Sequence, residues 1–113
     1  MYVRIARFEG ADMDEIAAEA ALLRDGIAAY RRGETSRELP PRLAEITHNV
    51  ELLVNRQESE VVLSVYCATR EDVHEADEIL AGMSPNNKGW GRRTSVGIYE
   101  VVMDESTGHG GAA

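Results

Sequence analysis

A single cysteine stands in the 113 residues, so neither an intrachain disulfide nor a paired-cysteine metal site can form. Phenylalanine and tryptophan occur once each, and aromatic residues make up only 5% of the chain, so each one can be followed individually. Basic residues are in the minority, 12 against 20 acidic, for a formal net charge of -8. A surface of that sign repels phosphate backbones and argues against nucleic acid as a partner. Arg31-Arg32 and Arg92-Arg93 are local pairs, not a basic face. No run approaches the roughly 20 apolar residues that span a bilayer. The opening MYVRIARFEG carries charges inside its apolar stretch and lacks a small-residue cleavage site, so it does not read as a signal peptide. A cytoplasmic protein without a membrane partner is expected. Phosphate loops, nucleophile elbows and paired-carboxylate signatures are missing as well.

What is present suits one small folded domain. Hydrophobic residues amount to 43% and charged residues to 28%. The length supports one core of modest size. Residues 2–8, YVRIARF, predict a first strand that stops at Glu9-Gly10. Asp12 then offers a helix cap, with Glu15 three residues on as in a capping box. Met13, Ile16, Ala20, Leu23, Ile27 and Tyr30 recur at helical spacing and define one apolar face. Gly33 is a natural stop. The link 34–47 contains Pro40-Pro41, which excludes a regular helix through that point. It reads as an ordered loop with one short turn of helix, tucked onto the domain by Leu39, Leu43 and Ile46.

Residues 50–54 and 61–67 predict a second and third strand. The polar link 55–60 is too short for a parallel crossover, so the two are antiparallel neighbours. Cys67 ends the third strand and reads as a small buried hydrophobe. Thr69 caps a second helix with an apolar stripe of Val73, Ala76, Ile79, Leu80 and Met83. Ser84-Pro85-Asn86-Asn87 ends it, and a loop through Lys88-Gly89-Trp90-Gly91 leads to a last strand over 94–103. The Gly- and Ala-rich segment 104–113 has few anchors and predicts a flexible tail after a domain of residues 1–103.

The order strand–helix–strand–strand–helix–strand is the ferredoxin-like βαββαβ plan, an α+β fold. It implies a four-stranded antiparallel sheet with both helices on one face. A wet second face would show clean alternation of apolar and polar residues. These strands do not. The third carries Val61, Leu63, Val65 and Cys67 on one face, but Val62 and Tyr66 on the other. The last carries Val96, Ile98 and Val102 against Tyr99, Val101 and Met103. A second copy of the chain is the economical cover, so a homodimer through the open face is expected.

On this plan, and on the stretches Thr69-Arg70-Glu71-Asp72 and 91–101 (GRRTSVGIYEV), the chain resembles the dimeric α+β barrel superfamily, which includes antibiotic-biosynthesis-monooxygenase-like proteins. The resemblance covers residues 2–103. It implies two sheets facing each other in a dimer, a pocket between sheet and helices, and cofactor-independent oxygenation as one possible activity. Haem-degrading members carry an Asn on the first strand, a Trp at the end of the third and a helical His ligand. This chain departs on each count: no Asn on the first strand, Tyr66-Cys67 at the end of the third, and His74 off the apolar stripe. No cofactor is therefore expected.

Candidate site residues follow from chemistry. His48 and Asn49 precede the second strand and pair an imidazole, which titrates near neutral pH, with an amide; they are the candidate catalytic pair. A strand-entry turn explains them equally. Tyr66, Trp90, Arg92 and Tyr99 are the candidate ligand contacts. The tyrosine hydroxyls can orient a phenolic ligand, or the rings can pack at a dimer interface. Trp90 is either folded back as a plug or held over a cleft mouth. Arg92 and Arg93 can fork onto an acidic ligand or onto surface carboxylates. His74 and Glu78, four apart, do not amount to a metal site and read as a solvated helix face. The leading function is a homodimer that binds a small, partly apolar molecule, with cofactor-independent oxygenation as the activity that the resemblance implies. The alternatives are a non-catalytic dimerisation or sensing module, and a regulatory amino-acid-binding domain of the same strand order.

Overall fold

The computed structural model describes residues 1–36, 39–83 and 89–108. Its elements are β1 (Tyr2–Glu9), α1 (Met13–Arg31), α2 (Pro41–Ile46), β2 (Asn49–Asn55), β3 (Glu60–Cys67), α3 (Arg70–Met83) and β4 (Arg92–Glu100). The strands form one antiparallel sheet in the order β2-β3-β1-β4, the ferredoxin-like arrangement. The helices pack on one face of it.

Strand register decides which residues meet them. Tyr2, Arg4, Ala6 and Phe8 of β1 pair with Cys67, Val65, Leu63 and Val61 of β3 and share the helix side. There they build two apolar clusters. One gathers Val65 and Cys67 with Val73 and Ala76 of α3 and Leu43, Ala44 and Ile46 of α2. The other gathers Ala6, Phe8 and Val61 with Ile16 of α1 and Trp90. Val61, Val73 and Cys67 are fully buried, and each valine of this kind contributes about 1.5–3 kcal/mol through removal from water. One charge is buried with them. Arg4, only 2% exposed, donates from Nε to the Asp77 carboxylate of α3 at 2.8 Å.

The helix ends are fixed locally. Asp12 accepts from the N–H groups of Asp14 and Glu15, as its position predicts. The capping box is not closed, however, because the Asp12 N–H is already donated to the Gly89 carbonyl at 2.9 Å. At the other end Glu34 N–H reaches Ala29 O and Gly33 N–H reaches Tyr30 O, with Gly33 at φ 77°: a Schellman motif. Thr69 Oγ1 accepts the Asp72 N–H and starts α3. The stop expected at 84–87, and Lys88 after it, lie outside the described residues.

Three sequence expectations change. The link before β2 holds a six-residue helix, because Pro41 occupies the first helical position, where its missing N–H is no loss. Arg42 of α2 then forks onto Glu75 of α3 at 2.6 and 2.8 Å. In α1, Ala29 takes the inward place in the last turn and Tyr30 is left 40% exposed. The last strand runs over Arg92–Glu100 rather than 94–103. A bulge opposite Arg7/Phe8 lets Arg92 and Arg93 join, and β1 offers no partner beyond Tyr2 except the Met1 carbonyl, which takes the Val101 N–H. Residues 101–107 form no regular element.

The loop before β4 depends on Gly91. At φ 79°, a Cβ there would strike the Glu9 carbonyl and the backbone of Gly10 and Ala11. Gly33, at φ 77°, has open space instead. Gly91→Ala is therefore expected to lose at least ~2 kcal/mol, and more than Gly33→Ala, in urea unfolding with an unchanged slope. Equal losses would mean that the close approach to β1 is not a constraint.

Candidate functional site

The side of the sheet away from the helices carries the side chains that could do chemistry. Register aligns them in rows across β2, β3, β1 and β4. Asn49, Tyr66, Val3 and Tyr99 form one row, Glu51, Ser64, Ile5 and Gly97 the next, and Leu53, Val62, Arg7 and Ser95 the third. Tyr66 and Tyr99 thus share a face, with Val3 between them.

A cavity of about 640 Å³ opens at the first row, lined by Val3, His48, Asn49, Glu51, Tyr66 and Asp104, among others. Its fixed point is Tyr66, whose hydroxyl donates to Glu51 Oε1 at 2.8 Å. That bond, then partial burial and the negative charges of Glu51 and Asp104, push the phenol above its ordinary value. Tyr66 therefore stays neutral. Its proton is committed to Glu51, so towards a ligand its oxygen is an acceptor. The Asn49 amide supplies both a donor and an acceptor beside it. His48 is held by its backbone, whose N–H donates to the Tyr66 carbonyl at 2.7 Å. Its imidazole is exposed and has no hydrogen bond among the described residues.

Of the six candidate residues, the cavity gathers His48, Asn49 and Tyr66. Tyr99 lies on the same face, 56% exposed, outside the cavity. Its ring runs back over Gly97, where a Cβ would sit 2.7 Å from the Tyr99 hydroxyl. Trp90 and Arg92 do not join them. Trp90 is 7% exposed on the helix side and packs edge-on against Phe8, centroids 5.1 Å apart: the plug, not the cleft mouth. Arg92 pairs in register with Glu9, with its guanidinium 3.5 Å from that carboxylate and 78% exposed. From Val3 to Glu9 the sheet extends about 20 Å, so these two residues stand at its opposite end.

Glu51 and Asp104 were not singled out by sequence reasoning. Glu51 had a signal, an acid inside the apolar stretch VELLV; Asp104 had none. Among the described residues no group of three His, Cys, Asp or Glu side chains could hold a metal ion. Burial pushes the Cys67 thiol up, which suits a packed side chain and not a nucleophile. No described helix is long and apolar enough to cross a membrane.

No family model matches the chain, and no curated protein matches it. Among solved structures it is similar to the structure of Rv0793 from Mycobacterium tuberculosis, at 21% identity and a TM-score of 0.55, covering 93% of this chain and 98% of that one. At that identity the likeness establishes a shared small α+β fold.

Proposed function

We propose that the chain is a homodimer joined through the open sheet face, and that it binds a small, partly apolar molecule in the cavity at Tyr66. The observation carrying this reading is the composition of that face. Leu53 and Tyr99 are 52% and 56% exposed on it, and Val102 and Met103 beside it are 87% and 79% exposed. Among the described residues no further layer covers them, and a second copy of the same sheet is the economical cover. In the cavity, a neutral phenol acceptor beside an amide suits a phenol, hydroxyl or amide on a ring-bearing ligand. Binding is favoured over catalysis because the imidazole of His48 lacks the hydrogen bond that orients a general base.

Leu53→Arg tests the dimer. Leu53 is half-exposed in one chain, so the fold should survive, with an unchanged circular dichroism spectrum. The dimer dissociation constant should rise at least ~100-fold in sedimentation, since an unpaired charge would be trapped within the interface. A wild-type protein that sediments as a monomer removes the proposal. Native mass spectrometry then reports any bound mass. Trp90 fluorescence is a poor reporter, being about 20 Å from the cavity.

A second reading, a cofactor-independent oxygenase, is favoured by one observation: His48 and Asn49 share the cavity with Tyr66. Oxygen uptake with a hydroquinone probe, lost in His48→Ala while binding persists, would establish it. Binding without uptake leaves the sensing or carrier role.

A further inference from the structure

A second cavity lies on the other side of β2, between the C-terminal half of α1 and the α2–β2 junction. Its volume is about 540 Å³, within the range that holds a small organic ligand. Arg24 and Arg31 stand at its rim, seven residues apart on α1 and so on one face, with Ile27 between them. Inward it meets an apolar void of about 50 Å³ lined by Leu23, Leu43, Leu63, Val65, Leu80 and Met83, among others. Leu39, Thr47 and Val50 border both spaces.

Two features make this more than a packing gap. The Thr47 hydroxyl is buried and has no hydrogen-bond partner among the described residues. Buried polar groups are nearly always satisfied, so an orphan at the junction of two cavities marks a place where a partner is missing. Arg24 and Arg31 form no ion pair among the described residues, as is also true of Arg7, Arg56, Arg70 and Arg93, but only these two share the rim of one cavity. In a chain of net charge -8, two such guanidiniums on one rim gather positive charge beside a largely apolar cleft. A guanidinium is a fork for a carboxylate.

We infer that this cleft binds a small carboxylic acid with an apolar body. The carboxylate lies between Arg24 and Arg31, the apolar body passes Leu39 and Val50 toward the inner void, and an oxygen along the body accepts a hydrogen bond from Thr47. The site is independent of the sheet-face cavity, although His48 and Asn49 border both.

Calorimetric titration of the full chain with decanoate, 3-oxodecanoate and decanol tests it. Both acids should bind saturably below 1 mM, and decanol at least ~10-fold more weakly, as expected for loss of a charge-assisted contact. Arg24→Gln/Arg31→Gln, at exposed helix positions that tolerate substitution, should weaken both acids at least ~10-fold. Thr47→Val keeps the shape and should abolish any preference for 3-oxodecanoate over decanoate while leaving decanoate unchanged. Tyr66→Phe and Leu53→Arg should leave every affinity unaltered, which separates this site from the sheet face. Equal binding of decanol and decanoate, unaltered binding by the arginine variant, a 3-oxo preference that survives Thr47→Val, or loss of binding in Tyr66→Phe would each overturn the assignment.

Discussion

Trp90→Ala is expected to destabilise the protein by about 4 kcal/mol, the cost of deleting a large buried aromatic side chain. Natural domains of this size hold about 5–15 kcal/mol in total, so the variant should unfold at much lower urea and tens of degrees earlier on heating. The loss has two sources. The ring leaves a void against Phe8, Val61 and Ile16, and the edge-on contact with Phe8 disappears. Trp90→Phe keeps part of both and should cost less than half as much. A loss below about 1 kcal/mol in Trp90→Ala would mean that the indole is not a core residue, and would return it to the rim of a binding site.

Asp77→Ala should cost about 3 kcal/mol, out of proportion to a side chain that is 35% exposed. The reason lies with its partner. Arg4 is 2% exposed on the helix side of a central strand, and without Asp77 its charge has no carboxylate beside it. Removing both charges should be far milder. Arg4→Met/Asp77→Ala replaces the guanidinium with an adaptable apolar chain and is expected to recover most of the loss. The double-mutant cycle separates the two terms. If the double variant is as unstable as Asp77→Ala alone, Arg4 contributes by packing of its stem and not through the ion pair.

Much of the fold is written in local chemistry. Asp12 and Thr69 mark both main helix starts, and the short polar link 55–60 forces β2 and β3 to be antiparallel. Period-two alternation sorts each strand into two faces but does not relate Tyr66 to Tyr99; pairing of both with Val3 puts them on one face. The elements that differ depend on distant partners. Proline at 41 reads as a breaker until the helix beginning at that residue is seen to need no N–H there. The end of β4 is decided by where β1 runs out, which the sequence of β4 does not carry.

The site is less legible for the same reason. Two flanking glycines leave Trp90 either a plug or a cleft-mouth residue; Gly91 allows the loop to press against β1, and the ring is buried. Glu51 and Tyr66 stand 15 residues apart, and Arg4 and Asp77 stand 73 apart. Only strand pairing and helix docking bring such pairs together. His48 and Asn49 were found because a histidine–asparagine pair at a strand entry is chemically conspicuous. Thr47 was passed over because a buried hydroxyl lacking a partner is a property of packing and leaves no mark in the sequence.

The strand order has a consequence for the chain as it is made. β1 is hydrogen-bonded on both edges, to β3 and β4, yet it precedes both in synthesis. At ribosomal rates its first lasting neighbour emerges roughly 3–10 s later. During that interval the nascent segment is an unpaired β-prone stretch with two free edges, open to association with other chains. Arg4 and Arg7 interrupt it with charge, as gatekeepers do in aggregation-prone segments. A buried arginine that a folded core would do without thus has a use before the core exists.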